Sequence, residues 1–202
     1  TFTTFAKKDM ENRITTIIFD KEITHDEIGA FRGAILTLLP DDPVLHNHGE
    51  EMILYRYPKV QYKTCNGKAC IIGMNEGADI LERELHMGDE LTLRIGRRIC
   101  RFTITDKTTT YFNPGNSRAE GYDYKIRDWL PLNQENHIAY TQMKSLHDRI
   151  GLLDRILTAS ILRLLQGFNH FIDYRCEAFI TDIISSEVIK YKGVEMLAFD
   201  IT

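Results

Sequence analysis

Apolar positions in the first half of the chain switch between two periods. Residues 13–19 are rich in β-branched and aromatic side chains, the pattern of a buried strand. Thr24 and Glu27 then form a capping-box pair, Ile28, Phe31, Ile35 and Leu38 repeat at helical spacing, and Pro40 follows. Together these predict a helix over 25–39. Residues 41–49 are turn-like. Residues 51–57 and 59–64 read as strands interrupted at Pro58. Asn66-Gly67 is a hairpin turn signal, because both residues tolerate positive φ, and 69–74 is the return strand. Residues 75–87 read as a short helix with Ile80, Leu81 and Leu85 on one face, followed by strands at 90–95 and 99–106. The order is β-α-β-β-α-β with an extra hairpin, the split βαβ arrangement of a ferredoxin-like domain.

Turn formers centred on Asn113-Pro114-Gly115-Asn116 make residues 107–120 the expected linker. It separates an N-terminal domain over 1–106 from a C-terminal domain over 121–202. In the second, 121–130 reads as a strand and 134–144 as irregular or extended. Ser145 and Asp148 cap a long helix to about Phe168, with apolar positions that include Leu153, Ile156, Leu157, Ile161 and Leu164. Strands are expected at 176–184 and 194–200. This β-α-β-β order matches a second ferredoxin-like copy that stops at Thr202, before its last helix and strand. The expected fold class is α+β, with tandem ferredoxin-like domains and the second truncated at the C-terminus.

A length of 202 residues has room for two such domains of about 100 residues each. A hydrophobic fraction of 43% with 27% charged residues excludes a disordered or collagen-like chain. The net charge of −4 argues, taken alone, against a dedicated nucleic-acid binder, which is typically basic. No apolar run approaches the roughly 18 residues of a membrane span. Residues 1–12 lack the apolar segment of a secretory signal. No membrane partner is therefore expected, and the expected location is cytoplasmic. Cys65, Cys70, Cys100 and Cys176 are too few for a disulfide scaffold and read as reduced small hydrophobes. Cys65 and Cys70 flank the hairpin turn, so a disulfide across it stays open.

The chemistry concentrates in residues 45–63. His46 and His48 have i, i+2 spacing, which in extended chain puts both imidazoles on one face. Tyr55, Arg56, Lys59 and Lys63 follow closely. Three readings compete. Two neutral imidazoles bind a metal, if Glu50, Glu51 or another residue supplies the third ligand. Alternatively they act as a general acid–base pair, since the imidazole pKa lies near neutrality. That pair suits metal-free RNA scission: one group takes the proton of a ribose 2′-OH as it attacks the adjacent phosphate. Another protonates the departing 5′-oxygen, and a cation stabilises the transition state. The third reading is two exposed turn histidines without a role.

An ordered set of strings extends beyond these histidines. It comprises Phe31-Arg32-Gly33-Ala34-Ile35, Leu45-His46-Asn47-His48, the run from Leu54 to Lys63, and Gly73-Met74-Asn75-Glu76-Gly77. This set resembles the CRISPR-associated endoribonucleases that process precursor CRISPR RNA, and is most similar to their "b" subgroup. Residues 153–167 and 192–200 also look similar. The resemblance implies tandem ferredoxin-like domains of the RNA-recognition type. It implies metal-independent cleavage of CRISPR repeat RNA that leaves a 2′,3′-cyclic phosphate and a 5′-hydroxyl, with no cofactor. Carried to matching positions, His48 is the principal acid–base residue. His46 assists it or positions the RNA, and Tyr55 orients the phosphate. The partners implied are repeat RNA, with a homodimer and a CRISPR effector complex as further candidates. Two departures stand out. The subgroup's lysine has no match ahead of the histidines, where Leu38 stands; Lys59 and Lys63 are the nearby cations. The family's glycine-rich loop and last strand have no counterpart before Thr202, which reads as truncation. A non-catalytic RNA-binding or scaffolding relative of the same fold is the alternative function.

Charge is unevenly spread. Residues 1–57 carry a net −4, while residues 94–127 carry a net +5. The densest cluster holds Arg94, Arg97, Arg98 and Arg101, with Tyr111, Phe112, Tyr122 and Tyr124 downstream. Arginines with aromatics can grip phosphates and stack unpaired bases, although a strand edge kept positive against aggregation has the same composition. With the resemblance, Arg56, Lys59, Lys63, Arg97, Arg98 and Arg101 become the candidate RNA contacts. The long helix adds Arg149, Arg155 and Arg163. On such a helix a solvated face explains them equally well.

Overall fold

The computed structural model describes residues 12–39, 42–46, 57–112, 121, 123–172, 175–191 and 193–202, and of His46 the backbone alone. The chain divides into two units, residues 1–23 with 30–115 and residues 24–29 with 116–202.

In the first unit, strand β1 (Asn12–Glu22) alternates as its sequence requires, with Thr15, Ile17 and Phe19 fully buried on one face. In residues 24–29, which group with the second unit, the Thr24/Glu27 capping box forms: the Glu27 carboxylate accepts the Thr24 backbone N–H at 3.0 Å. A single 3-10 turn (His25–Glu27) leads into α1 (Ile28–Leu36), which buries Phe31 and Ile35. Phe31 meets Phe19 edge-on, with ring centroids 5.5 Å apart, and lies 5.7 Å from Phe102. This trio of rings anchors the helix to the sheet.

Residues 43–46 depart from the turn expected there and form a helical turn, α2 (Pro43–His46). Asp42 explains it by accepting the Val44 N–H at 2.9 Å, and Pro43 fits the first helical position. The strand expected over 51–57 lies outside the described residues except for Tyr57. Strands β2 (Val60–Cys65) and β3 (Lys68–Met74) form the predicted hairpin, with Asn66 at φ 52° and Gly67 at φ 79°. Both torsions belong to the turn that matches strand twist. Helix α3 (Glu76–Glu84) follows, burying Ile80 and Leu81, then β4 (Glu90–Ile95) and β5 (Arg98–Phe112). β5 takes in residues 107–112, which composition assigns to the linker. The early start of β1 gives those residues partners, down to Asn12 opposite Phe112.

The five strands lie in the order β2-β3-β1-β5-β4 with antiparallel neighbours throughout. Setting aside the edge strand β4, this is the ferredoxin-like order, with β1 central.

The second unit repeats the theme on a smaller sheet. Strand β6 (Ile126–Trp129) is shorter than the 121–130 expected. Residues 134–142, expected to be irregular, form α4 (Gln134–Gln142), capped by Asn133, whose Oδ1 accepts the Asn136 N–H at 2.8 Å. Its polar composition hides it from a periodicity test, and the cap starts it. Helix α5 (Leu146–Gly167) is the long predicted helix. Residues 176–182, expected as strand, are not one. The Ala178 N–H goes to Thr158 Oγ1 at 3.0 Å and the Ile180 N–H to Asp154 Oδ1 at 2.8 Å. Side chains of α5 thus take the donors that a strand ladder would use. The strand starts later, as β7 (Ile183–Tyr191), and pairs with β8 (Val194–Ile201) in the order β6-β8-β7. Leu132, Leu153, Leu157, Phe199 and Ile201 form the core.

Candidate functional site

The histidine segment is anchored at both of its flanks. On the N-terminal side, α2 packs against α3 with Leu45 buried, so the His46 backbone sits at the end of a fixed helical turn. On the C-terminal side, the Lys59 carbonyl accepts the Met74 N–H at 2.8 Å. The same carbonyl lies against Gly77 of α3, where an added Cβ would stand 2.2 Å away. Gly73 is equally tight, its Cβ position 2.6 Å from the Gly77 carbonyl. These contacts explain the Gly73-Met74-Asn75-Glu76-Gly77 string: only glycines let β3, the start of β2 and the first turn of α3 meet backbone to backbone. Asn75, at φ 47° between them, exchanges backbone-linked hydrogen bonds with Arg13, each 3.0 Å. His48, Tyr55 and Arg56 lie outside the described residues, as do Glu50 and Glu51.

Lys59 places its Nζ 3.1 Å from Glu76 Oε2, with its side chain 13% exposed. Its ammonium is thus held at the first turn of α3. Lys63 lies on β2 opposite Cys70 and is half-buried. Next to it, the Tyr62 hydroxyl is buried with no hydrogen-bond partner among the described residues. Burial pushes its pKa up to about 12, moderated by the Arg32 guanidinium. Cys65 and Cys70 are free thiols. Burial, with a hydrogen bond to Cys65, holds the Cys70 thiol protonated well above its usual range.

The basic cluster sits on the β4–β5 hairpin. Gly96, at φ 61°, and Arg97 make its turn. Arg101 pairs with Glu90 at 3.2 Å, both well exposed. Arg98 and Arg101 also line a cleft of about 400 Å³ that they share with Asp20, Lys21 and Glu22. Its electrostatic character is therefore mixed, not purely cationic. Among the described residues no group of three metal-ligating side chains comes together. None of their helices is long and apolar enough to cross a membrane.

A polar network under α3 escapes sequence reading. Glu82 Oε1 accepts the Thr15 hydroxyl at 3.0 Å and the Thr109 hydroxyl at 2.6 Å, and Arg13 approaches Oε2 at 3.4 Å. Arg13 also pairs with Asp79. The Thr109 hydrogen bond, helped by Thr15, Arg13 and Lys107 against the effect of burial, holds the Glu82 carboxyl below the usual carboxylate range. Lys107 donates to the carbonyls of Glu82 at 3.1 Å and Leu85 at 2.6 Å, closing the C-terminus of α3. The residues belong to three elements far apart in sequence, so no local spacing announces them.

A sequence model of the Cas6b N-terminal domain matches residues 10–110, and one of the Cas6b C-terminal domain matches residues 116–202. The chain belongs to the Cas6b family. No curated protein matches it in sequence. Among the solved structures that share its fold are two crystal structures of Cas6b. One is a crystal structure of Cas6b, 21% identical, covering 94% of this chain and 87% of its own, with a TM-score of 0.69. The other is a crystal structure of a CRISPR RNA processing endoribonuclease Cas6b, 19% identical, covering 95% of this chain and 86% of its own, with a TM-score of 0.58. The Cas6b N-terminal match takes in both histidines, Tyr55, the Gly73–Gly77 string and the basic hairpin.

Proposed function

We propose that this chain is an endoribonuclease that processes CRISPR repeat RNA. The observation that carries the reading is the His46-x-His48 pair. It lies inside the matched Cas6b N-terminal domain, on a segment tied to α3 at both flanks. A neighbour of the same fold is a CRISPR RNA processing endoribonuclease. In the proposed reaction the ribose 2′-oxygen attacks the adjacent phosphorus and the 5′-oxygen departs. The products are a 2′,3′-cyclic phosphate and a 5′-hydroxyl. His48 moves the proton, His46 assists it or positions the strand, and Tyr55 orients the phosphate. Imidazoles near neutral pKa supply both the base and the acid, so the step needs no metal. Proton transfer at a defined phosphate requires the acid–base groups in a defined position, and the anchored α2 and Lys59 at either end support that reading. Arg56, Lys63, Arg97, Arg98 and Arg101 are proposed to draw the RNA backbone in. Lys59 joins them only if its bond to Glu76 opens.

The test is cleavage of end-labelled repeat RNA in EDTA by the parent chain and by His46→Ala and His48→Ala. Site-specific cleavage that survives EDTA and falls by about 10²–10⁴-fold in His48→Ala is the expected result. Tight binding without cleavage would replace the enzyme with a scaffolding protein. Cleavage abolished by EDTA would replace the acid–base pair with a metal site.

A further inference from the structure

The second unit contains a cleft of about 590 Å³ built wholly from its own residues. One wall is a stripe of α5 at positions 152, 155, 156, 159, 160 and 163, which share a helix face. The other is the loop that starts at Trp129 and runs into α4. Arg155 and Arg163 are the charged residues lining it, and no carboxylate does. Neither guanidinium has a hydrogen bond or ion pair among the described residues. The acid beside Arg155 in sequence, Asp154, is engaged elsewhere, accepting the Ile180 N–H. Trp129 and Asn136 are half-buried in the cleft wall, beside Pro131.

Two guanidiniums without a carboxylate partner among the described residues attract anions, and their fixed forks suit phosphate. Eight residues of helix separate them by about 12 Å along the axis. That is too far for one phosphate and suits two groups on a common chain. Between them α5 presents Ile156, Ala159 and Ser160, and the facing loop presents Trp129 and Pro131 beside Asn133 and Asn136: an indole face for a flat heterocycle, with amides that can hydrogen-bond its edge. A chain that alternates phosphates with flat rings is a polynucleotide. A base within a duplex has both faces stacked, so only an unpaired one can lie against Trp129.

We propose that this cleft binds an unpaired stretch of RNA, with Arg155 and Arg163 on phosphates and a base against Trp129. The choice of RNA rests on the repeat-RNA reading above; the chemistry of the cleft stands on its own residues. The proposal makes the second unit a contributor to substrate selection, favouring repeats with an unpaired flank.

Trp129 is the chain's one tryptophan, so tryptophan emission comes from this cleft and the core edge behind it. The experiment titrates the full chain with a short unpaired oligoadenylate, an RNA duplex of equal length, and inorganic phosphate. The oligoadenylate is expected to quench Trp129 emission. The Arg155→Gln/Arg163→Gln variant is expected to bind about tenfold or more weakly. Its salt dependence should fall by about 1.4 in the slope of log K against log salt. Both side chains are exposed, so the fold should survive, and an Arg155→Lys/Arg163→Lys variant should restore most of the slope. Absent quenching, quenching unaffected by the glutamines, or equal quenching by duplex or by phosphate alone would overturn the proposal. Cleavage of repeat RNA without quenching removes this site and leaves the nuclease. Quenching retained in a chain that cleaves nothing does the reverse.

Discussion

Gly77→Ala is a sharp perturbation, because one methyl group meets backbone on arrival. The new Cβ would stand 2.2 Å from the Lys59 carbonyl oxygen and 2.9 Å from Val60 Cγ2. No flexible side-chain end can swing aside from the first contact, so the start of β2 must shift. Overpacking of this kind costs about 1–3 kcal/mol. Losing the Lys59–Met74 backbone hydrogen bond adds about 1 kcal/mol. Alanine's better helix propensity returns up to about 1 kcal/mol. The net expectation is a loss of about 1–4 kcal/mol, or a fall in melting temperature of about 2–16 °C for a chain of this size. Gly151→Ala is the control, since it sits within α5 with nothing within 4 Å of its Cβ position. It should gain up to about 1 kcal/mol. Thermal and urea unfolding of both variants would give the comparison. Repeat-RNA cleavage by folded Gly77→Ala should also drop, because Lys59 ends the histidine segment. A Gly77→Ala chain as stable as the parent would refute the backbone contact and the anchoring argument with it.

Other consequences follow from the polar contacts. Glu82 has a folded pKa below its ordinary 4.5. Its contribution is therefore full above that value and is lost as pH falls through the lower folded one. Urea midpoints measured downward from neutral pH should fall more steeply for the parent than for Glu82→Gln; equal acid limbs would show that Glu82 is not a source of the loss. Lys107→Met removes two charge-assisted bonds at the end of α3 and should destabilise the chain by about 2 kcal/mol by urea unfolding. Asn133→Ala should cost about 1 kcal/mol through its lost cap, with reduced helicity by circular dichroism. Asp154→Asn keeps an acceptor for the Ile180 N–H, so it should unfold later in urea than Asp154→Ala.

Legibility varied with how local each signal is. The Asn66-Gly67 hairpin, the Thr24/Glu27 cap and the apolar stripe of α5 depend on neighbours a few residues apart, and each formed where its spacing placed it. Of the strand expected at 176–184, only 183–184 formed; before it, Thr158 and Asp154, on another element, take the Ala178 and Ile180 N–H groups. Helix α4 was invisible because a polar helix has no apolar period. Lys107 looked like linker, yet it sits in the longest strand and closes a helix. For the candidate site, the strings around His46, His48 and Tyr55 carried a resemblance to the CRISPR RNA-processing family, and the two Cas6b domain matches bear that family out. Nothing in that order could reveal that Lys59 is tied to Glu76, or that Arg98 and Arg101 share their cleft with Asp20 and Glu22.

Turn chemistry, caps and period were thus readable from the chain alone, and with them two ferredoxin-like units, because those preferences act within one or two turns of backbone. The anchoring of α2 and Lys59 against α3, the Glu82 network and the cleft that Arg155 and Arg163 line with Trp129 belong to tertiary structure. Each joins residues that only folding brings within hydrogen-bond or van der Waals range, where exclusion of solvent and close backbone approach give them their effect.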